Sequence, residues 1–193
     1  MLEKIFSWSK KKEGEEITAS PIRFGRYSDN NKPTVKVDKW NEADRLFKEK
    51  NIPGSIAAFF DYLRDDVEDN VEHKQKGASG TFSFYQGSKI IRGFYNENML
   101  EAEVALARMP QPSVPVMRRL LEMNFLLYYT RYTLNADKLT MMFDSDVASA
   151  NPSKLYYGLK ELATKADKQD DLLIQDFTTL VPIDNIHIVT VPE

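Results

Sequence analysis

The chain of 193 residues contains no cysteine and only two histidines. The first absence excludes disulfides, thiolate metal sites and cysteine nucleophiles, and it fits a cytoplasmic protein. The second leaves His73 and His187 far apart in the sequence, one in a charged stretch and one near the tail. Each reads as an ordinary polar residue, because a metal or base role needs partners that the sequence does not place beside them. Glycine is sparse, at 8 residues, and Gln86-Gly87-Ser88 is a hairpin turn rather than a phosphate cradle. No Gly-x-Ser-x-Gly, His-Glu-x-x-His or Walker-type run is present. No stretch approaches the ~20 apolar residues that a spanning helix needs. A net charge of −3 argues against a broad basic face for nucleic acid. No cofactor is implied by any of this.

What is present is an ordinary globular composition, 42% hydrophobic and 28% charged, in a chain long enough to bury a full core. The first residues, MLEKIFSWSKKKEGEE, have no secretory h-region, because Glu3 and Lys4 interrupt Leu2, Ile5 and Phe6. They read as a short helix. A membrane-surface contact through residues 1–12 is the alternative, with Leu2, Ile5, Phe6 and Trp8 ahead of Lys10, Lys11 and Lys12. Charge runs and turn formers continue to YSDNNKP. Residues 1–50 are therefore expected to form an N-terminal extension with short helices, and residues 51–193 a single α+β domain with a C-terminal tail.

Trp40, Ala43 and Phe47 recur at helical spacing. Ser55 is expected to cap a second helix, in which Ile56, Phe59, Phe60, Leu63 and Val67 form one apolar stripe. The period then changes. GTFSFYQ, SKIIRGFY and MLEAEVALARM alternate and are separated by turn residues, so they read as three strands of a meander, with helix the competing reading of the third, since Leu, Ala and Glu favour helix. Residues 71–77 are left open as a short edge strand. Pro115 suits the first turn of a helix over VMRRLLEMN, with Val116, Met117, Leu120 and Leu121 inward and Asn124 as its stop. A hairpin follows around Asn135-Ala136-Asp137-Lys138. Asn151-Pro152 then opens a long helix with Leu155, Leu159, Leu162, Ala166, Leu173, Phe177 and Leu180 on one stripe. Gln169 and Asp170 leave a break in that helix open. The tail IHIVTVPE alternates like a strand.

Short turns between consecutive strands imply an antiparallel sheet. The expected fold is thus a twisted five-stranded antiparallel sheet with helices packed on one face, in the order αβββαββα. In LYYTRYTLNADKLTMMFDSD, residues 127–146, apolar side chains crowd both parities. One set meets the helices. The other is expected to form an exposed apolar patch, covered by a second subunit, by the N-terminal extension or by a client chain. The contact residues expected on this basis are Leu127, Tyr129, Arg131, Met141 and Phe143, with Met117 and Leu121 from the preceding helix.

Two stretches carry a resemblance. RRLLEMNFLLYYTRYTLNADKLTMMFDSD and NPSKLYYGLKELATKADKQDDLL resemble an apolar helix ending in Leu-x-x-Asn, a hairpin with a polar turn, and a helix carrying Ala-Asp near its middle, here Ala166-Asp167. With the element order, this resembles the class I type III secretion chaperones and their YbjN-type, sensory-regulator-like relatives, over residues 54–180. The resemblance implies a non-enzymatic, homodimeric module that holds protein or peptide partners on apolar surface. A metal-dependent regulator or enzyme using Asp144, Asp146, Asp167, Asp170 and Asp171 is the competing reading.

Overall fold

The computed structural model describes residues 33–65, 70–87 and 89–183. The expected N-terminal helix, the membrane-contact segment and the tail IHIVTVPE lie outside the described residues. The chain opens with two helices, α1 (Thr34–Lys48) and α2 (Ile52–Leu63). Asn51 caps α2 by accepting the Gly54 N–H at 3.2 Å, and Pro53 occupies the first turn. Ser55 is not the cap: it is buried inside α2 and donates to the Ala43 carbonyl at 2.7 Å, tying the two helices together. Trp40 of α1 packs against Tyr62 and Phe59 of α2, with ring centroids 5.0 and 6.4 Å away.

The strands follow: β1 (Val71–Lys76), β2 (Ser79–Gln86), β3 (Lys89–Tyr95) and β4 (Met99–Arg108). Helix α3 (Val114–Asn124) ends at Asn124 as expected, and leads to β5 (Thr130–Asn135) and β6 (Lys138–Asp146). A 3₁₀ turn at Val147–Ser149 precedes α4 (Pro152–Asp176) and the short β7 (Val181–Pro182). Asn151 caps α4 by accepting the Lys154 N–H at 2.9 Å, and the helix runs its 25 residues without a break.

All pairings are antiparallel, in the order β1-β2-β3-β4-β6-β5, with β7 on β4. The sheet therefore has seven strands rather than the expected five. The additions are β1, which the sequence leaves open as an edge strand, and β7; the two helices ahead of the sheet are both as expected. Only Val71 of β1 is fully buried and the rest of VEHKQK is polar, so its alternation carries little apolar signal.

One cross-sheet row reads His73, Phe82, Gly93, Ala102, Phe143 and Thr130. This face is covered by α2, through Phe60 on Phe82, and by α4, whose Gly158 lies directly on the Phe143 ring. A bulge between Ala105 and Ala107 shifts the β4 register and lets both Leu106 and Ala107 face inward.

The opposite face corrects the expectation of an apolar patch there. It carries Thr81, Ser83, Arg92, Glu101, Glu103, Arg131 and Asp144 among a few apolar side chains. Arg131 pairs with Asp144, and Lys138 reaches Glu103 at 3.2 Å. The patch was overcounted for a physical reason. Leu127, Tyr128 and Tyr129 precede the first β5 residue, so their parity does not assign them to a sheet face.

Candidate partner-binding surface

The exposed apolar surface lies instead on α3 and the loop after it. Val116, Leu120 and Met123 form the buried stripe of α3, directed at β5. A second stripe points outward: Val114, Met117, Leu121 and, just past the helix end, Phe125, at successive intervals of three, four and four residues, so Met117 and Leu121, expected inward with Val116 and Leu120, are turned away from the core. Leu121 is 64% exposed and Phe125 90%. Leu126, Tyr128 and Tyr129 extend the surface into the loop, with Tyr128 at 92%. Contiguous apolar exposure of this kind is uncommon on a soluble monomer, which makes this the candidate interaction surface.

Two contacts hold this region in place. The Asn124 side-chain oxygen accepts the Tyr132 N–H at 2.8 Å, fixing the end of α3 to β5. Glu161 of α4 receives the N–H groups of Tyr128, Tyr129 and Thr130 at 3.0, 2.7 and 3.0 Å, and the Thr130 hydroxyl at 3.0 Å. Behind the loop, burial pushes the Tyr132 phenol up to about 12, with the Arg119 charge opposing and the Glu161 charge adding to it. Arg118, Arg119 and Glu122 flank the outer stripe, and Arg119 lies 3.8 Å from Glu122.

The residues expected from sequence divide into three groups. Met117, Leu121 and Tyr129 lie on this surface. Leu127 is half-buried against the core, and Arg131 is on the polar sheet face, where it also donates to the Met142 sulfur at 3.3 Å. Met141 and Phe143 are corrections: they are 0% and 1% exposed, part of the core, with the Phe143 ring beneath Gly158 of α4, and no partner reaches them in the folded chain. Val114, Phe125, Leu126, Tyr128 and Glu161 were missed. The outer stripe had a signal, since α3 is apolar on two adjacent sides. Glu161 had none, because it acts 31 to 33 residues away in sequence.

Among the described residues, the clustered aspartates do not converge. Asp144 is ion-paired to Arg131, Asp146 precedes the 3₁₀ turn, and Asp167 lies against Gly87. Among the described residues, no three acidic or histidine side chains gather in a cation-sized group. Among them, too, no helix is long and apolar enough to cross a membrane.

No protein-family model and no curated protein matches the chain. Solved structures do. The type III secretion chaperone SycH of Yersinia pestis, in complex with a fragment of YscM2, is matched at 15% identity and a TM-score of 0.39. The match covers 65% of this chain and 98% of that one. The ExsC–ExsE complex is matched at 14% identity and a TM-score of 0.34, over 57% of this chain and 80% of that one. These likenesses are shallow, although the first falls in the group that the sequence resembles. The surface described above is a property of this chain and stands without them.

Proposed function

We propose that the chain is a non-enzymatic protein-binding module that acts as a homodimer joined through α3. The observation that carries this reading is the outward stripe Val114, Met117, Leu121 and Phe125 on a helix whose inner stripe is already satisfied. Charge placement favours a second copy as occupant. An antiparallel α3 crossing about a dyad near Leu120 sets Arg118 of one copy opposite Glu122 of the other, so the flanks are self-complementary, as a two-fold interface requires. A stable interface buries roughly 800 Å² per partner, which is the scale that the helix stripe and the aromatic loop together have to supply.

A client polypeptide is the alternative occupant. Assignment to the YbjN-type branch rests on the sequence resemblance alone. The metal-dependent alternative has no converging site among the described residues to support it, and the membrane-adaptor alternative concerns residues outside them.

Size-exclusion chromatography with light scattering at about 100 μM, a concentration well above the micromolar range of modest interfaces, tests the proposal. The wild type is expected at twice the chain mass and Leu121→Asp at the single-chain mass. A monomeric wild type that binds no apolar dye would remove both the dimer and the client reading. A monomer that binds the dye would leave only the client.

A further inference from the structure

We propose that Glu161 is the positioning residue of the interface loop, holding residues 125–129 so that Phe125, Leu126 and Tyr128 stay turned to the partner. This inference rests on the dimer reading above. The loop has no regular structure, yet three of its apolar side chains are 71 to 92% exposed. Left to itself, such a segment gains by folding those side chains back onto the protein. The N–H groups of Phe125, Leu126 and Leu127 bond back to carbonyls at the end of α3, and Asn124 is tied to Tyr132; beyond them, Tyr128 to Thr130 are held by one carboxylate. The consecutive N–H groups of Tyr128, Tyr129 and Thr130 converge on Glu161, and Oε2 takes Tyr129, Thr130 and the Thr130 hydroxyl at 2.7 to 3.0 Å. Converging backbone N–H groups form an anion-binding concavity, and here the anion is supplied from inside the chain. Hydrogen bonds to an ionised acceptor are the stronger kind.

The anchor itself is rigid. Glu161 is flanked on α4 by Leu159, Leu162 and Ala163, all at 0% exposure. The loop is therefore registered to the core helix across the β5 edge. Loop order is set before association, so the ordering cost does not fall on the binding step.

The test uses the full chain as Glu161→Gln and Glu161→Ala. The dimer dissociation constant is read by sedimentation equilibrium, and amide exchange at Tyr128, Tyr129 and Thr130 by NMR. Glutamine keeps the length of the side chain but loses its charge and one of two acceptor oxygens. It is expected to weaken the dimer about tenfold, and alanine more, from the loss of charge-assisted hydrogen bonds. The three amides should lose protection while those of α2 and β4 keep theirs. That localisation separates positioning from general destabilisation, and Glu161→Gln serves where Glu161→Ala folds poorly. A dimer constant within twofold of wild type in both variants would overturn the proposal while leaving the dimer standing. A monomeric wild type would overturn the dimer reading and this inference with it.

Discussion

Gly87 stands against the carboxylate of Asp167 where the β2–β3 turn meets α4, and a Cβ at that position would overlap the carboxylate oxygens. The residue also adopts φ +55°, which a side chain disfavours by about 1 kcal/mol. Gly77, in the β1–β2 turn, has φ +62° but nothing within 4 Å of such a Cβ. Gly77→Ala should therefore cost only the backbone part, about 1 kcal/mol. Gly87→Ala should cost about 2–3 kcal/mol, because Asp167 must also move. Urea unfolding of the two variants decides it, and equal losses would mean that the Asp167 contact contributes nothing.

His73 connects stability to pH. Its ring stacks on Phe60, 5.0 Å between centroids, and its Nε2 lies 3.0 Å from the Tyr95 hydroxyl. Burial holds its pKa below the ordinary value; the Asp61 carboxylate opposes this and the Arg64 guanidinium adds to it. Below about pH 6.5 an unfolded chain protonates this histidine while the folded chain resists. Its contribution is thus complete above about 6.5 and is lost as the pH falls toward the depressed folded value. Glu42 and Glu72 are also depressed, from 4.5, by their lysine partners, so their contributions disappear only at more acidic pH. Urea midpoints measured downward from pH 7 should fall in the wild type before the carboxylates titrate. In His73→Phe that early slope should be absent, and its persistence would assign it to another group.

Among the described residues, two non-glycine residues sit in the left-handed region, Lys50 at φ 62° and Ala136 at φ 53°. Lys50 follows α1, where Asn51 N–H reaches the Leu46 carbonyl at 2.9 Å and Lys50 N–H reaches Phe47 at 3.0 Å. This is the double hydrogen bond of a helix C-terminus that usually ends in glycine. Ala136 is the first turn residue between β5 and β6. Lys50→Gly and Ala136→Gly should each raise stability by about 0.5–1 kcal/mol, the relief of the left-handed penalty less the added freedom of the unfolded chain. Thermal unfolding would show it as a higher midpoint.

The strands from Ser79 to Arg108 were legible because each places one dry face on α2 or α4 and one wet face outward, so burial writes itself as alternation. Asn124 and Asn151-Pro152 were legible as a helix stop and start for local reasons, through the carbonyls and N–H groups they terminate. β1 was only half legible, as an edge strand that buries little. Leu127, Tyr128 and Tyr129 misled because their apolar character matches a strand, while Leu127 N–H bonds to the end of α3 and the Tyr128 and Tyr129 N–H groups to Glu161 on another element. Met141 and Phe143 misled in the opposite sense. Apolar content at those positions is the core of the sheet, and sequence alone does not distinguish a side chain covered by its own helix from one covered by a second chain.

That distinction is measurable with Met141 and Leu121. Met141 is fully buried on β6, whereas Leu121 projects from α3 with most of its surface in water. Met141→Ala opens a cavity and should cost about 2–5 kcal/mol, with the protein that remains folded still dimeric. Leu121→Asp should leave the stability of the single chain within about 0.5 kcal/mol and abolish the dimer. A dimer that unfolds to separate chains has a concentration-dependent midpoint. Wild type and Met141→Ala should therefore unfold at higher urea as protein concentration rises, and Leu121→Asp at the same urea throughout. If Leu121→Asp instead lost as much stability as Met141→Ala at every concentration, its side chain would belong to the core, and the outward stripe of α3 would have no partner to explain.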